Sequence, residues 1–332
     1  MPLLEVTDLR IALATPNGLV QAVRGLDFSL DAGGTLGLIG ESGCGKSLTA
    51  LALMGLLPDG AQVSGSIRLA GQELVGLDER ALCALRGNRM AMVFQEPMAA
   101  LNPLHRVGDQ VAEPLRIHQG LGRRQARQRA QALLERVGID DAARRMSGYP
   151  HEFSGGQRQR ICIATALACG PALLIADEPT TALDTEVQAH ILALLRELVA
   201  ERGMALLLIS HDLAVVAQNA ARMLVMYGGC LVEAGDAAQV FARMAHPYTR
   251  GLLAARPVLG GAADARAALR PPLPTIAGSV PPLHALPPGC PFAGRCAYTI
   301  AACHAALPPL ADLGDGHGVR CIRPEAIAGA AP

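Results

Sequence analysis

Gly40-Glu41-Ser42-Gly43-Cys44-Gly45-Lys46-Ser47 is the stretch from which the rest of this 332-residue chain is best read. It fits G-x-x-x-x-G-K-[ST], and the run before it, Leu36-Gly37-Leu38-Ile39, is short and apolar enough for a buried strand. Glycines at this spacing let the backbone bend so that successive N–H groups point inward. A helix starting at Lys46, with Leu48 in its first turn, adds its own N-terminal amides to the same anion site. In such a loop Lys46 reaches the β- and γ-phosphates, and the Ser47 hydroxyl takes a Mg²⁺ coordination position. Lys46 is also the single lysine among 29 basic residues. A compact ammonium on a flexible stem does here what a planar guanidinium does not.

Outward from the loop, Leu173-Leu174-Ile175-Ala176-Asp177-Glu178 is an apolar strand ending in two acids. In open α/β sheets ligands sit beyond the carboxyl ends of strands, which brings Asp177 toward Mg²⁺ and lets Glu178 take a proton from an attacking water. Ala205-Leu206-Leu207-Leu208-Ile209 is a second near-continuous apolar run, as expected for a parallel sheet buried on both faces. Between the two, Val187, Ile191, Leu194, Leu195 and Leu198 mark one helix face, closed by Gly203. This strand–helix–strand unit makes an α/β core the expected fold class. Ser66-Ile67-Arg68-Leu69 reads as a half-exposed strand, and residues 105–148 as helical and more polar.

Composition sets the limits. The chain is 51% hydrophobic and 17% charged, enough for a core, with 29 basic and 29 acidic residues. A net charge of zero excludes a global pull on nucleic acid or anionic lipid. The local run Arg123, Arg124, Arg127, Arg129 reads as a solvated helix face. No signal peptide is visible at Met1-Pro2-Leu3-Leu4-Glu5, and the most apolar stretch, 161–176, is broken by Gly170-Pro171. A cytosolic protein is therefore expected, and its nine cysteines are not expected to be disulfides.

Phe153-Ser154-Gly155-Gly156-Gln157, followed by Arg158-Gln159-Arg160, resembles the LSGGQ signature of ABC-type ATPases, with Phe153 in place of the first Leu. Gln95 in Val93-Phe94-Gln95-Glu96-Pro97 resembles the Q-loop glutamine. Thr181-Ala182-Leu183-Asp184 resembles the D-loop, and His211 the switch histidine. These motifs span residues 40–211 in the family's order. The resemblance implies a P-loop ABC-type core with a mixed β-sheet and an inserted α-helical subdomain at about 97–160. It implies ATP and Mg²⁺ as ligands, sandwiched between two such domains placed head to tail. Ser154, Gly155, Gly156 and Gln157 would then bind the nucleotide on the partner's loop, with Asp184 crossing the interface. His211 would hold the γ-phosphate, Glu178 would be the base, and Gln95 would sense Mg²⁺ and the attacking water. Leu13 stands where the family stacks an aromatic residue on adenine, which weakens base stacking.

The end of the chain is rich in proline and holds four of the nine cysteines, so residues 246–332 read as a small Cys/Pro-rich module after an ATPase domain at 1–245. His246-Pro247-Tyr248-Thr249-Arg250-Gly251-Leu252-Leu253, Tyr149-Pro150-His151-Glu152 and Cys290-Pro291-Phe292 with Arg295-Cys296 resemble the oligopeptide and dipeptide importer branch, which includes nickel importers. That implies a second ABC ATPase subunit, two transmembrane permeases and a substrate-binding protein as partners, no nucleic acid, and a peripheral place on the cytoplasmic face of the plasma membrane. Cys290, Cys296, Cys303 and Cys321 follow C-x5-C-x6-C-x17-C, which is neither a zinc ribbon nor a ferredoxin run. Three readings stay open for them. One is a [4Fe–4S] centre, which some members of the branch carry; another is zinc, with His304 or His317; the third is free thiols. A tail that senses metal or redox state need not exclude the ATPase role, and Cys44 is a candidate for thiol-sensitive ATP binding. A soluble ABC ATPase acting on DNA or ribosomes is the other class weighed; a single cassette and balanced charge speak against it.

Overall fold

The computed structural model describes residues 1–16, 18–96, 100–180, 183–255 and 275–328. Pro97, Thr181 and Ala182, singled out above, lie outside the described residues. The chain opens with two long antiparallel strands, β1 (Leu4–Thr15) and β2 (Gly18–Leu30). β3 (Thr35–Ile39) then leads through residues 40–45 into α1 (Lys46–Met54). β4 (Gln62–Leu69), β5 (Gln72–Glu73), α2 (Glu79–Leu85) and β6 (Met90–Val93) follow. β1 pairs with both β2 and β4, giving an antiparallel sheet in the order β2-β1-β4-β5.

A run of helices comes next: α3 (Val107–Gln119), α4 (Arg123–Arg136), α5 (Ala142–Arg145) and α6 (Gly155–Ala166). On α4, Ala126, Ala130 and Leu134 recur at helical spacing and are fully buried, while Arg123, Arg124 and Arg129 face solvent as expected and Arg127 is half-buried, donating to Ser147 Oγ at 3.0 Å. Then β7 (Leu173–Asp177), α7 (Thr185–Arg202) and β8 (Ala205–Ser210) form the expected strand–helix–strand unit. Asp184 caps the start of α7, and Gly203 ends it in the left-handed conformation. The chain continues through α8 (Leu213–Asn219), β9 (Arg222–Tyr227), β10 (Cys230–Asp236), α9 (Ala237–Arg243) and α10 (Pro247–Ala254). The last elements are α11 (Ala302–Ala305), β11 (Ala311–Asp312), β12 (Gly318–Val319) and α12 (Pro324–Ala328).

The larger sheet runs β11-β12-β10-β9-β3-β8-β7-β6, parallel from β9 to β6 and antiparallel beyond. It is thus α/β with a mixed sheet. β7 and β8 are buried at every position, which explains their unbroken apolar sequence. One part of the core fills the helical side of this sheet, with Ile161, Leu174, Ile191 and Leu208. A second joins the two sheets through Leu38, Leu53, Ile175 and Met226. β12 pairs with β10, so the last part of the chain completes the sheet that the loop starts from. Among the described residues no helix is long and apolar enough to cross a membrane.

Candidate functional site

The loop between β3 and α1 is shaped by two glycines with different reasons for being there. Gly45 has φ 105°, a left-handed conformation that turns the chain into α1. Gly40 has no room for a side chain: a Cβ there would strike the Met226 carbonyl and the Cys44 sulfur. Lys46 is buried, and its Nζ donates to the carbonyl oxygens of Gly40 (2.7 Å) and Glu41 (3.1 Å). Its ammonium is thus curled over the loop. Ser42, Gly43 and Ser47 are exposed.

Asp177 ends β7, and its carboxylate takes a hydrogen bond from Ser47. Burial pushes its carboxyl up from the ordinary range. Ser47 pulls it back, Glu178 adds to the rise and Lys46 opposes it. One oxygen, Oδ1, is buried with no hydrogen-bond partner. A buried carboxylate with an open lone pair beside a serine hydroxyl is a hard oxygen donor set, the kind Mg²⁺ takes. The residues fit the cation that the sequence leads one to expect.

Three predicted residues from three strand ends meet beside it. Gln95, after β6, donates through Nε2 to Glu178 Oε2 at 3.1 Å, and His211 Nδ1, after β8, lies 3.1 Å from the same oxygen. The Glu178 side chain is 14% exposed against 62% for His211, so the acid is sheltered and the imidazole opens outward. Glu178 is also left-handed at φ 46°, a conformation that costs a non-glycine residue roughly 1–3 kcal/mol and tends to collect where chemistry is done. Its N–H is tied to the Ile209 carbonyl at 2.9 Å.

The signature residues form a second constellation with partners of its own. Ser154 caps α6: its Oγ accepts from the Gln157 N–H at 3.3 Å, and Gln157 Oε1 accepts from the Ser154 N–H at 3.1 Å. Arg145 also donates to Gln157 Oε1, at 3.0 Å. Gly156 lies so close to Val187 that a Cβ would meet its Cγ1 at 2.6 Å. Ser154, Gly155 and Asp184 are exposed. Leu13 sits on β1, partly buried against the core between the two sheets.

Sequence reasoning missed what holds the loop from behind. Tyr248, on α10, accepts the Glu41 N–H at Oη (2.7 Å), and Arg295 grips the Glu41 carboxylate. The motif around Tyr248 stands out in the sequence, but its spacing gives no hint of a partner 207 residues away. Cys44 departs from expectation. It is fully buried and its thiol is pushed up, chiefly by burial, so it is a poor thiolate and not a sensitive point of the loop.

The four late cysteines line one cavity of about 20 Å³, with His246 and Phe292 on its wall. That is room for little more than one water-sized sphere. Burial, and after it the sulfurs of Cys321, Cys296 and Cys303, push the Cys290 thiol up to about 11. Among the described residues no group of three or more His, Cys, Asp or Glu is arranged to hold a metal ion. The pocket as closed therefore supports neither the zinc nor the [4Fe–4S] expectation. His317 is engaged elsewhere: its Nε2 lies 2.8 Å from Glu233 Oε1 in a fully buried pair.

Comparison with known proteins agrees with the motifs. Residues 23–181 match the family described as ABC transporter, and residues 232–303 match the oligopeptide/dipeptide transporter C-terminal region. A Brucella melitensis protein, provisionally described as a peptide import ATP-binding protein, is 50% identical over 98% of both chains. The oligopeptide transport ATP-binding protein OppD of Salmonella typhimurium is 49% identical over 97% of this chain and 94% of its own. Among solved structures, the ATP-binding cassette MJ0796, dimeric in a post-hydrolysis state with ADP and Pi, superposes with a TM-score of 0.64. It is 25% identical and covers 70% of this chain and 98% of its own.

Proposed function

The chain belongs to the ABC transporter family, as an ATP-hydrolysing subunit of a peptide importer, and from that premise we propose how its residues divide the work. Lys46 and the amides of residues 40–48 hold the β- and γ-phosphates. Ser47 and Asp177, with Gln95, would hold Mg²⁺, which when bound neutralises charge on the phosphate oxygens. Glu178 accepts the proton of the attacking water, oriented by Gln95, and His211 holds the γ-phosphate. The observation that carries this reading is the convergence of Gln95 and His211 on one oxygen of Glu178, each at 3.1 Å. Gln95 and His211 orient a carboxylate that is sheltered from solvent, which fixes where it can meet the proton of a water.

Ser154, Gly155, Gly156, Gln157 and Asp184 act on a second subunit's nucleotide. Their support is that Ser154, Gly155 and Asp184 are exposed at the start of α6 and α7, and that the similar cassette MJ0796 is dimeric. Residues 1–245 act as the ATPase unit with a helical subdomain at about 97–160, and 246–332 as the importer-type tail. The partners are a second ATPase, two permeases and a substrate-binding protein, with this chain peripheral on the cytoplasmic face of the plasma membrane. An iron–sulfur centre is the finer reading proposed for the tail because its four cysteines line one cavity, which would have to open to admit the cluster; iron and sulfide in an anaerobic preparation would establish it, and their absence would end it.

The experiment is purification from native membranes in mild detergent, followed by uptake of labelled di- and oligopeptides. Two permeases, a second ATPase and ATP-dependent peptide uptake are expected. Uptake of nickel instead of peptide would move the solute and keep the ATPase. Recovery with ribosomes or DNA would break the importer assignment.

A further inference from the structure

Glu41 is an odd residue for a loop built to bind an anion. Its carboxylate would repel a triphosphate unless something neutralised it. Arg295 does so: Nη1 lies 2.6 Å from Oε2 and Nη2 lies 3.3 Å from Oε1, a two-pronged grip. The Arg295 side chain is 7% exposed and that of Glu41 29%. The guanidinium is itself fixed by the Ala277 carbonyl (2.8 Å), the Ile276 carbonyl (3.4 Å) and Tyr227 Oη (3.3 Å).

The same loop residue is held through its main chain. Tyr248 Oη accepts its N–H, and Lys46 donates to its carbonyl at 3.1 Å. Tyr248 is fully buried, edge-on to Tyr227 with centroids 4.7 Å apart, and both rings pack on Phe292. Phe292 and Arg295 lie between Cys290 and Cys296 in sequence, on the wall of the cysteine cavity or next to it. One residue of the loop is thus gripped at carboxylate and amide by the tail, and at its carbonyl by the lysine that reaches the phosphates.

We propose that Arg295 and Tyr248 are positioning residues for the phosphate loop, through which the cysteine-bearing tail sets the affinity of the loop for ATP. The inference rests on the ATPase reading of the loop. It assigns the tail an effect on binding and leaves hydrolysis to Gln95, Glu178 and His211.

The test uses the intact importer complex, with ATP binding by equilibrium titration and KM and kcat for hydrolysis measured together. Arg295→Gln is expected to raise the dissociation constant and KM about tenfold, the scale of a charge-assisted hydrogen bond, with kcat within about twofold. Adding Glu41→Gln to Arg295→Gln removes the stranded carboxylate and is expected to recover most of the loss, while Arg295→Lys recovers part of it. A merely structural role for Arg295 would give no such recovery. Should Arg295→Gln fail to fold, Tyr248→Phe, which deletes one hydroxyl, is expected to raise KM about threefold. An unchanged KM in Tyr248→Phe and Arg295→Gln overturns the inference, as does a double variant no better than Arg295→Gln. A wild-type complex that neither binds nor hydrolyses ATP would overturn the ATPase reading beneath it, and the two failures are told apart in one assay.

Discussion

The phosphate-loop site and the cysteine cavity are both clusters of ionisable side chains, and they are built to opposite ends. The first gathers charged groups: a buried lysine held by carbonyl oxygens rather than by a carboxylate, and an aspartate with one oxygen unpaired. The second gathers groups kept neutral, with the Cys290 and Cys321 thiols pushed up and His246 pushed down to about 4 by burial, against the opposing pull of Glu233. The aromatic wedge of Tyr227, Tyr248 and Phe292 touches both. What distinguishes them is charge left uncompensated in the fold: a buried charge without a full set of partners is costly, and a ligand of opposite sign relieves that cost. Residue type alone would not separate the two places.

The sharpest way to break this comparison is at Glu178. Glu178→Gln is expected to lower turnover about a thousandfold, within the usual reach of general-base catalysis, while ATP binding is retained. Near-normal hydrolysis in a phosphate-release assay would remove Glu178 as the base. The next effect belongs to the cavity. His246 is depressed in the folded state, so the unfolded chain takes up its proton first as pH falls. Stability should therefore be intact above about pH 6.5 and decline by about 3 kcal/mol between there and about pH 4. His246→Asn, which keeps an acceptor for the Tyr248 N–H, should flatten that decline in urea titrations; an unaltered slope would place the acid sensitivity elsewhere.

Lys46→Ala should weaken ATP binding by about 2 kcal/mol, or some thirtyfold, the worth of a charged hydrogen bond to phosphate. Binding at wild-type strength would mean the amides alone hold the ligand. The smallest effect is kinetic. With a small alkylating reagent, exposed Cys83 should react at least about tenfold faster than Cys44, which is buried and whose thiol burial pushes up. Equal rates by mass spectrometry would show that the loop opens readily.

These contrasts also mark what a reader of the sequence could see. The loop, β7, β8 and α7 were legible because their signals are local: a fixed spacing of glycines, two unbroken apolar runs, and a helical stripe closed by Gly203. Gln95, Glu178 and His211 were legible as a set only through the resemblance to a family; that their side chains meet depends on β6, β7 and β8 lying side by side, which periodicity does not reveal. Of the antiparallel sheet of β1, β2 and β4 only the half-exposed run at Ser66–Leu69 was legible, because bulges shift the register along β1 and blur the alternation. The tail was least legible. Glu41 and Arg295 are 254 positions apart, and β12 is two residues long, so neither leaves a local pattern.

That short strand has a consequence for how the molecule is made. β10 receives its outer neighbour only when Gly318 and Val319 arrive, with the Arg320 N–H closing onto the Val232 carbonyl. Until the ribosome has delivered that segment, β10 is an open edge of a largely finished sheet, free to pair with another nascent chain. A message truncated ahead of codon 318 would leave it so permanently. Such a product would retain every motif for nucleotide chemistry and would fail by sticking to its own kind.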